Sequence, residues 1–141
     1  MDLAGMFPGL SVSASGLGAE RTRMETIAKN IANANVVADA NGTPYQRQEV
    51  VFRTVLDAAH QDLEGGVEVA DVVADDHTPA REVFQPGHPM ANKDGMVTYS
   101  NVDMANEMVD MLTASRAYEA NLRAMRVYKD MVGEAMRLLE G

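Results

Sequence analysis

Apolar side chains recur every seven residues along the last third of the chain, at Met104, Met111, Tyr118, Met125, Val132 and Leu139. Met108, Ser115, Leu122, Lys129 and Met136 follow the first five of these by four residues each. Alternating steps of three and four predict one helix from about Asn101 to Leu139, free of proline and weakened only at Gly133. Asn101 is placed to cap its first turn, and Asp103 suits the positive end of the helix dipole. Arg116, Arg123, Arg126, Lys129 and Arg137 occupy the later turns, where cations are favoured. At 1.5 Å per residue the helix is roughly 57 Å long. A compact domain of this length is only about 37 Å across, so the helix needs a partner along its stripe.

The other end of the chain supplies one. Leu10, Leu17, Met24 and Ile31 also recur every seven residues, with Ala14, Ile27 and Ala28 beside them. They predict a second amphipathic helix from about Leu10 to Ala34, about 37 Å long. Two heptad stripes predict a coiled-coil-like pairing of the chain ends. Ser13, Ser15, Gly16 and Gly18 thin the N-terminal stripe, each glycine costing about 1 kcal/mol against alanine. Small residues also permit close helix approach. Asn30, Asn33 and Asn35 crowd the end of this helix and carry two compatible readings. One is a helix stop, since Asn accepts left-handed backbone angles; the other is hydrogen bonding to adjacent subunits.

Between the helices the period changes. Asn41-Gly42-Thr43-Pro44 signals a turn, and Gln48–Val55, Val67–Val73, Glu82–Gln85 and Met96–Tyr99 read as short β-strands rich in branched residues. The fold class expected is therefore α+β. A terminal helical part, residues 1–40 and 100–141, forms a coiled-coil-like inner layer, and a small β-rich domain is inserted at residues 41–99.

Composition sharpens this picture. Alanine and methionine supply 31 of the 65 apolar residues, and Leu, Ile, Val and Phe together reach only 30 of 141. That share sits just above the roughly 20% below which charged chains stay disordered, so burial by other subunits is expected to complete the core. The net charge of −9 argues against nucleic acid or an anionic membrane as partner. Residues 54–80 hold seven acids (Asp57, Asp62, Glu64, Glu68, Asp71, Asp75 and Asp76) and no Lys or Arg. They read as a solvated face, or as a patch that meets a basic neighbour.

Catalytic chemistry finds no foothold. The chain has no cysteine, and His60, His77 and His88 share no metal-ligand spacing. Phosphate-binding glycine motifs are missing from the sequence. The methionine-rich turns read as packing surface able to adapt to irregular neighbours. No catalytic residue, metal, cofactor or small-molecule substrate is expected.

Several motifs resemble bacterial flagellar rod and hook proteins. They include Ser13-Ala14-Ser15-Gly16-Leu17, Asn30-Ile31-Ala32-Asn33-Ala34-Asn35 and Pro44-Tyr45-Gln46-Arg47-Gln48-Glu49-Val50-Val51-Phe52. Pro86-Gly87-His88-Pro89, Asp94-Gly95-Met96-Val97, Asn101-Val102-Asp103 and Ala114-Ser115-Arg116-Ala117-Tyr118-Glu119-Ala120-Asn121 are similar to a proximal-rod member of that family. The resemblance implies a structural rod subunit that transmits motor torque, not an enzyme. It also implies self-association, other proximal-rod proteins, the distal-rod protein and the basal-body adaptor as partners, and the export apparatus during secretion. The resemblance further implies export without a cleaved signal peptide, and in keeping with it Met1–Leu10 lacks a basic start and a long apolar core. The expected assembly interface comprises Leu10, Leu17, Met24, Ile27, Asn30, Ile31, Asn33 and Asn35 on the first helix. On the second it comprises Met104, Met108, Met111, Tyr118, Leu122, Met125, Val132 and Met136. A soluble coiled-coil adaptor with a small β domain is the alternative.

Overall fold

The computed structural model describes residues 8–39, 41–55 and 65–140. The architecture is α+β. Helix α1 (Pro8–Asn33) is followed by strands β1 (Gln48–Val55), β2 (Gly66–Ala74), β3 (Arg81–Phe84) and β4 (Met96–Tyr99), then by helix α2 (Met104–Glu140). At 37 residues, α2 is about 56 Å long.

The helices run antiparallel, and their register can be read from three facing pairs. The notch at Gly9 receives the Tyr128 ring, Gly16 receives the Asn121 amide, and Asn30 bonds to Glu107. Each pair of numbers sums to 137, so α1 residue i faces α2 residue 137 − i. Gly9 and Gly16 therefore have a packing role, since two side chains seven apart on α2 enter two notches seven apart on α1, whereas Gly18 faces open space. By the same register, Pro8 faces Lys129, and α2 continues past the described start of α1 from Asp130 to Glu140.

The start of α2 differs from the expected cap. Asp103 Oδ1 accepts the backbone N–H groups of Ala105 (2.8 Å) and Asn106 (3.2 Å), so Asp103 caps the helix. Asn101 instead ties loops together: its Oδ1 accepts from the Arg47 N–H at 2.6 Å and its Nδ2 donates to the carbonyls of Asp75 and Thr78. A residue two positions earlier than the cap has no N–H group of the first turn within reach, whereas its amide can bridge two strands of chain.

The strands form two separate antiparallel sheets of two, β1–β2 and β3–β4. A bulge between Val51 and Phe52 shifts the β1–β2 register. On one face of this sheet Val50 and Phe52 turn toward Ile27 and Ala19 of α1, while the opposite face carries Val51, Asp71 and Val73, and Glu49 reaches back to Arg47. The β3–β4 sheet is extended by the chain leaving α1, through the Val37–Tyr99 bridge and a 2.8 Å bond from the Ala38 N–H to the Thr98 carbonyl. Gly95 closes its loop at φ +73, where a side chain would be strained and would also strike the Phe84 ring at 2.9 Å.

Among the described residues, the buried apolar side chains are Ala19, Ile27, Ala34, Ala38, Val97, Val102 and Ala114. Four of these are alanines, as the composition implies. The bulkiest side chain with no exposure at all is a charged one, Glu107.

Candidate assembly interface

Glu107 stands on α2 between Met104 and Met111, on the face that meets α1. A carboxylate without water is costly unless paired and fully hydrogen-bonded. Here Arg47, just before β1, donates from Nε to Glu107 Oε1, and Asn30 Nδ2 donates to Oε2 at 3.0 Å. The second hydrogen of the Asn30 amide goes to the Gln48 carbonyl at 2.8 Å. Asn30 Oδ1 accepts from Tyr45 Oη and from the Gln48 N–H, both at 2.9 Å. All four hydrogen-bonding positions of the Asn30 amide are thus occupied within the chain.

The Arg47 guanidinium also reaches Asp110 Oδ2 at 3.3 Å and pairs with Glu49. Partial burial opposes its charge, but the hydrogen bond and charge of Glu107, reinforced by Glu49, prevail and hold it above its ordinary range. The hub therefore joins α1, the approach to β1, and α2 at one point. It fixes how the hairpin sits on the helix pair.

For Tyr45, burial first and the Glu107 charge second raise the hydroxyl pKa above 10.0. Its share of stability is therefore full below the unfolded-state value and is lost as pH rises through the higher folded value. Tyr45→Phe is expected to cost about 1 kcal/mol at neutral pH, the net worth of one hydrogen bond. It should also flatten part of the alkaline limb of a stability–pH profile measured by urea unfolding.

The expected interface residues fall into three groups. Ile27 and Asn30 are buried inside the chain. Leu17, Met24, Ile31, Asn33, Met104, Met111, Tyr118, Leu122, Met125 and Val132 are half-buried. Leu10, Asn35, Met108 and Met136 are exposed. Asn33 Nδ2 donates to the Lys29 carbonyl one turn back, and Asn35 Oδ1 accepts from Arg81 at 3.4 Å. Of the acids in 54–80, Asp57, Asp62 and Glu64 lie outside the described residues, as do His60 and the side chain of Leu139.

A further set was not anticipated. Val109, Leu112, Val127, Met131 and Leu138 are each more than half exposed. At 100° per residue they share one side of α2, opposite the side that carries Met104, Glu107, Met111 and Tyr118. The helix is therefore apolar on two sides. The signal was present as steps of three and four through Ala120 and Ala124, but small alanines and the interposed Arg116, Arg123, Asp130 and Glu134 obscure it. The hub left a signal as well, a Glu and an Asn on stripes otherwise apolar.

The two paired ends of the chain each match a described family. Residues 10–38 match the flagella basal body rod protein family, and residues 93–138 match the flagellar basal body rod FlgEFG protein C-terminal family. The flagellar basal-body rod protein FlgC of Salmonella typhimurium is 38% identical over 127 residues, covering 90% of this chain and 92% of that protein. The protein of that name from Borreliella burgdorferi is 34% identical over 152 residues, covering 97% and 99%. That from Buchnera aphidicola of Acyrthosiphon pisum is 33% identical over 132 residues, covering 92% and 95%. With both helices matching rod models and relatives of this similarity along nearly its whole length, the chain belongs to the FlgC family of flagellar basal-body rod proteins.

Proposed function

We propose that this chain is a structural subunit of the flagellar basal-body rod, working in its proximal part as one brick of a torque-transmitting shaft. The observation that carries the reading is the two-sided apolar character of α2. One side packs on α1, while the other displays Val109, Leu112, Val127, Met131 and Leu138. Exposed apolar ridges of this extent mark contact surfaces, and relatives named for the rod support their use in such an assembly. In this reading the terminal helices form the inner layer and residues 41–99 the outer part. A contact between unlike faces does not close, so repeated subunits build an open helical array. Close-packed helices then supply the stiffness, since dense interiors transmit strain.

The partners in this reading are other proximal-rod proteins, the distal-rod protein, the basal-body adaptor and further copies of the chain. The export apparatus handles the subunit before assembly, without removal of a signal peptide, and the assembled rod crosses the periplasm. The subunit carries out no catalysis. The expected interface residues that are half-buried or exposed, such as Met108, Met125 and Met136, take part in these contacts.

Deleting the gene and purifying basal bodies tests the reading. The expected result is loss of motility and of every structure distal to the proximal rod, with both restored by a tagged copy found in the basal body. A deletion strain that swims with intact basal bodies would overturn it. A discrete dimer in sedimentation velocity, unchanged across concentration, would favour the soluble adaptor instead.

A further inference from the structure

The sequence contains a single Asn-Gly pair, Asn41-Gly42, and both residues are exposed. They lie between two anchored stretches of chain. Upstream, the Ala38 N–H donates to the Thr98 carbonyl at 2.8 Å; downstream, Tyr45 and Arg47 belong to the hub. A glycine after asparagine has no side chain to shield its backbone nitrogen from the neighbouring amide carbon. At Gly42 φ is +80, and nothing lies within 4 Å of a Cβ built there. The Asn41 side-chain amide has no hydrogen-bond partner among the described residues, so it is free to turn. The other asparagines differ. Those at 30, 33, 35, 92 and 101 have their amides engaged, and Asn106 and Asn121 precede residues with long side chains.

We propose that Asn41 is a site of spontaneous deamidation through a cyclic imide, and that Asp39 sets its rate. The Gly42 backbone nitrogen gives its proton to solvent base and adds to Asn41 Cγ. A C–N bond forms, the Cγ–Nδ2 bond breaks, and the leaving nitrogen takes a proton from water to depart as ammonia. Water then opens the imide at either carbonyl. One opening gives aspartate, the other isoaspartate, whose main chain runs through the former side-chain carbon; nothing is oxidised or reduced. Asp39 opposes the first step. Its carbonyl accepts the Gly42 N–H at 2.9 Å, and its Oδ1 accepts the N–H groups of Asn41 (2.9 Å) and Thr43 (3.0 Å). Reaction therefore waits for local opening of this turn, and the carboxylate disfavours a second negative charge on the Gly42 nitrogen. Either product places a new carboxylate beside Asp39, and isoaspartate also lengthens the main chain. The turn then loosens next to the point where Ala38 joins the β3–β4 sheet. The inference concerns the folded chain by itself and stands apart from the rod-subunit reading.

Incubating the full-length chain at neutral pH, followed by digestion and mass spectrometry, measures amide loss at every asparagine. Chromatography of the peptides separates aspartate from isoaspartate. Loss at Asn41 is expected to be at least about tenfold faster than at any other asparagine, because its neighbour alone leaves the nitrogen unshielded. Both acids should appear at that position. Asp39→Ala should speed the loss by about tenfold, the effect of releasing a turn held by two side-chain hydrogen bonds. Circular dichroism checks that this variant is folded. In concentrated urea the turn is absent from both chains, and their rates should converge. Amide loss at Asn41 no faster than elsewhere, or aspartate formed without isoaspartate, overturns the site. Equal rates for the folded native and Asp39→Ala chains overturn the part given to Asp39, as does a difference that persists in urea.

Discussion

Arg47→Met is expected to destabilise the folded chain by about 3–5 kcal/mol, the range measured when a buried ion pair loses one partner. The reason lies in the asymmetry of the pair. The Glu107 side chain has 0% exposure while that of Arg47 keeps 21%. Removing the arginine leaves a carboxylate beyond the reach of water, held only by the Asn30 amide. Arg47→Met also strips Asp110 and Glu49 of their shared cation. Glu107→Leu should cost less, because the freed guanidinium still reaches solvent and retains Glu49 and Asp110. The double variant should recover most of the Arg47→Met loss, since replacing both members of a buried pair by apolar groups is often near neutral. Its residual deficit, about 1 kcal/mol, reflects the hydrogen bond lost by Asn30. Urea unfolding of the four proteins gives the coupling directly, provided the slope with denaturant stays constant. A loss under about 1 kcal/mol for Arg47→Met would show that water reaches Glu107, and the hub would then lose its role in fixing the hairpin.

How much of this was legible beforehand follows from the range of each signal. The helices emerged within three residues of their ends, because a heptad stripe repeats its message at every turn. The strands emerged within one residue of theirs, since branched residues cluster between glycine, proline and asparagine breaks. The α2 cap was misplaced by two residues because Asn101 and Asp103 are both good capping types, and only backbone geometry selects between them. The split into two sheets was not legible. Strand pairing depends on contacts between distant segments, and β3 finds β4 and the Val37 segment instead of β2. The hub was the hardest feature. Asn30 and Glu107 lie 77 residues apart, and each alone looks like a polar interruption of an apolar stripe. Only the antiparallel register, in which facing numbers sum to 137, brings them together. The outer side of α2 escaped for a different reason. A helix apolar on two sides has a weak net amphipathic signal, and the stronger heptad line absorbs the attention due to both.

The same register makes the glycines of α1 a graded test of the helix pairing. A Cβ built at Gly16 would lie 2.8 Å from the Asn121 amide nitrogen and 3.2 Å from its Cγ, whereas at Gly18 nothing lies within 4 Å. Intrinsic propensity favours replacing either glycine by alanine, by about 1 kcal/mol in an exposed helix. Gly18→Ala should therefore stabilise the chain by about 0.5–1 kcal/mol. Gly16→Val adds a branched side chain where Asn121 already sits, so overpacking of about 1–3 kcal/mol should outweigh any gain in propensity. Asn121 can swing aside for a single Cβ, which makes Gly16→Ala the intermediate case, near neutral. Two γ methyl groups also need the volume Asn121 would retreat through, and the helices must then part. Asn121→Ala should relieve much of the Gly16→Val penalty while leaving Gly18→Ala unchanged, because only the first pair shares the notch. Thermal unfolding of the set reads these differences as midpoint shifts of several degrees, about 2–6 °C per kcal/mol for a chain of this size. Equal effects at Gly16 and Gly18 would mean that α1 is not seated on α2 in this register. The hub would then have to form without the helix alignment that presents Glu107 to Asn30.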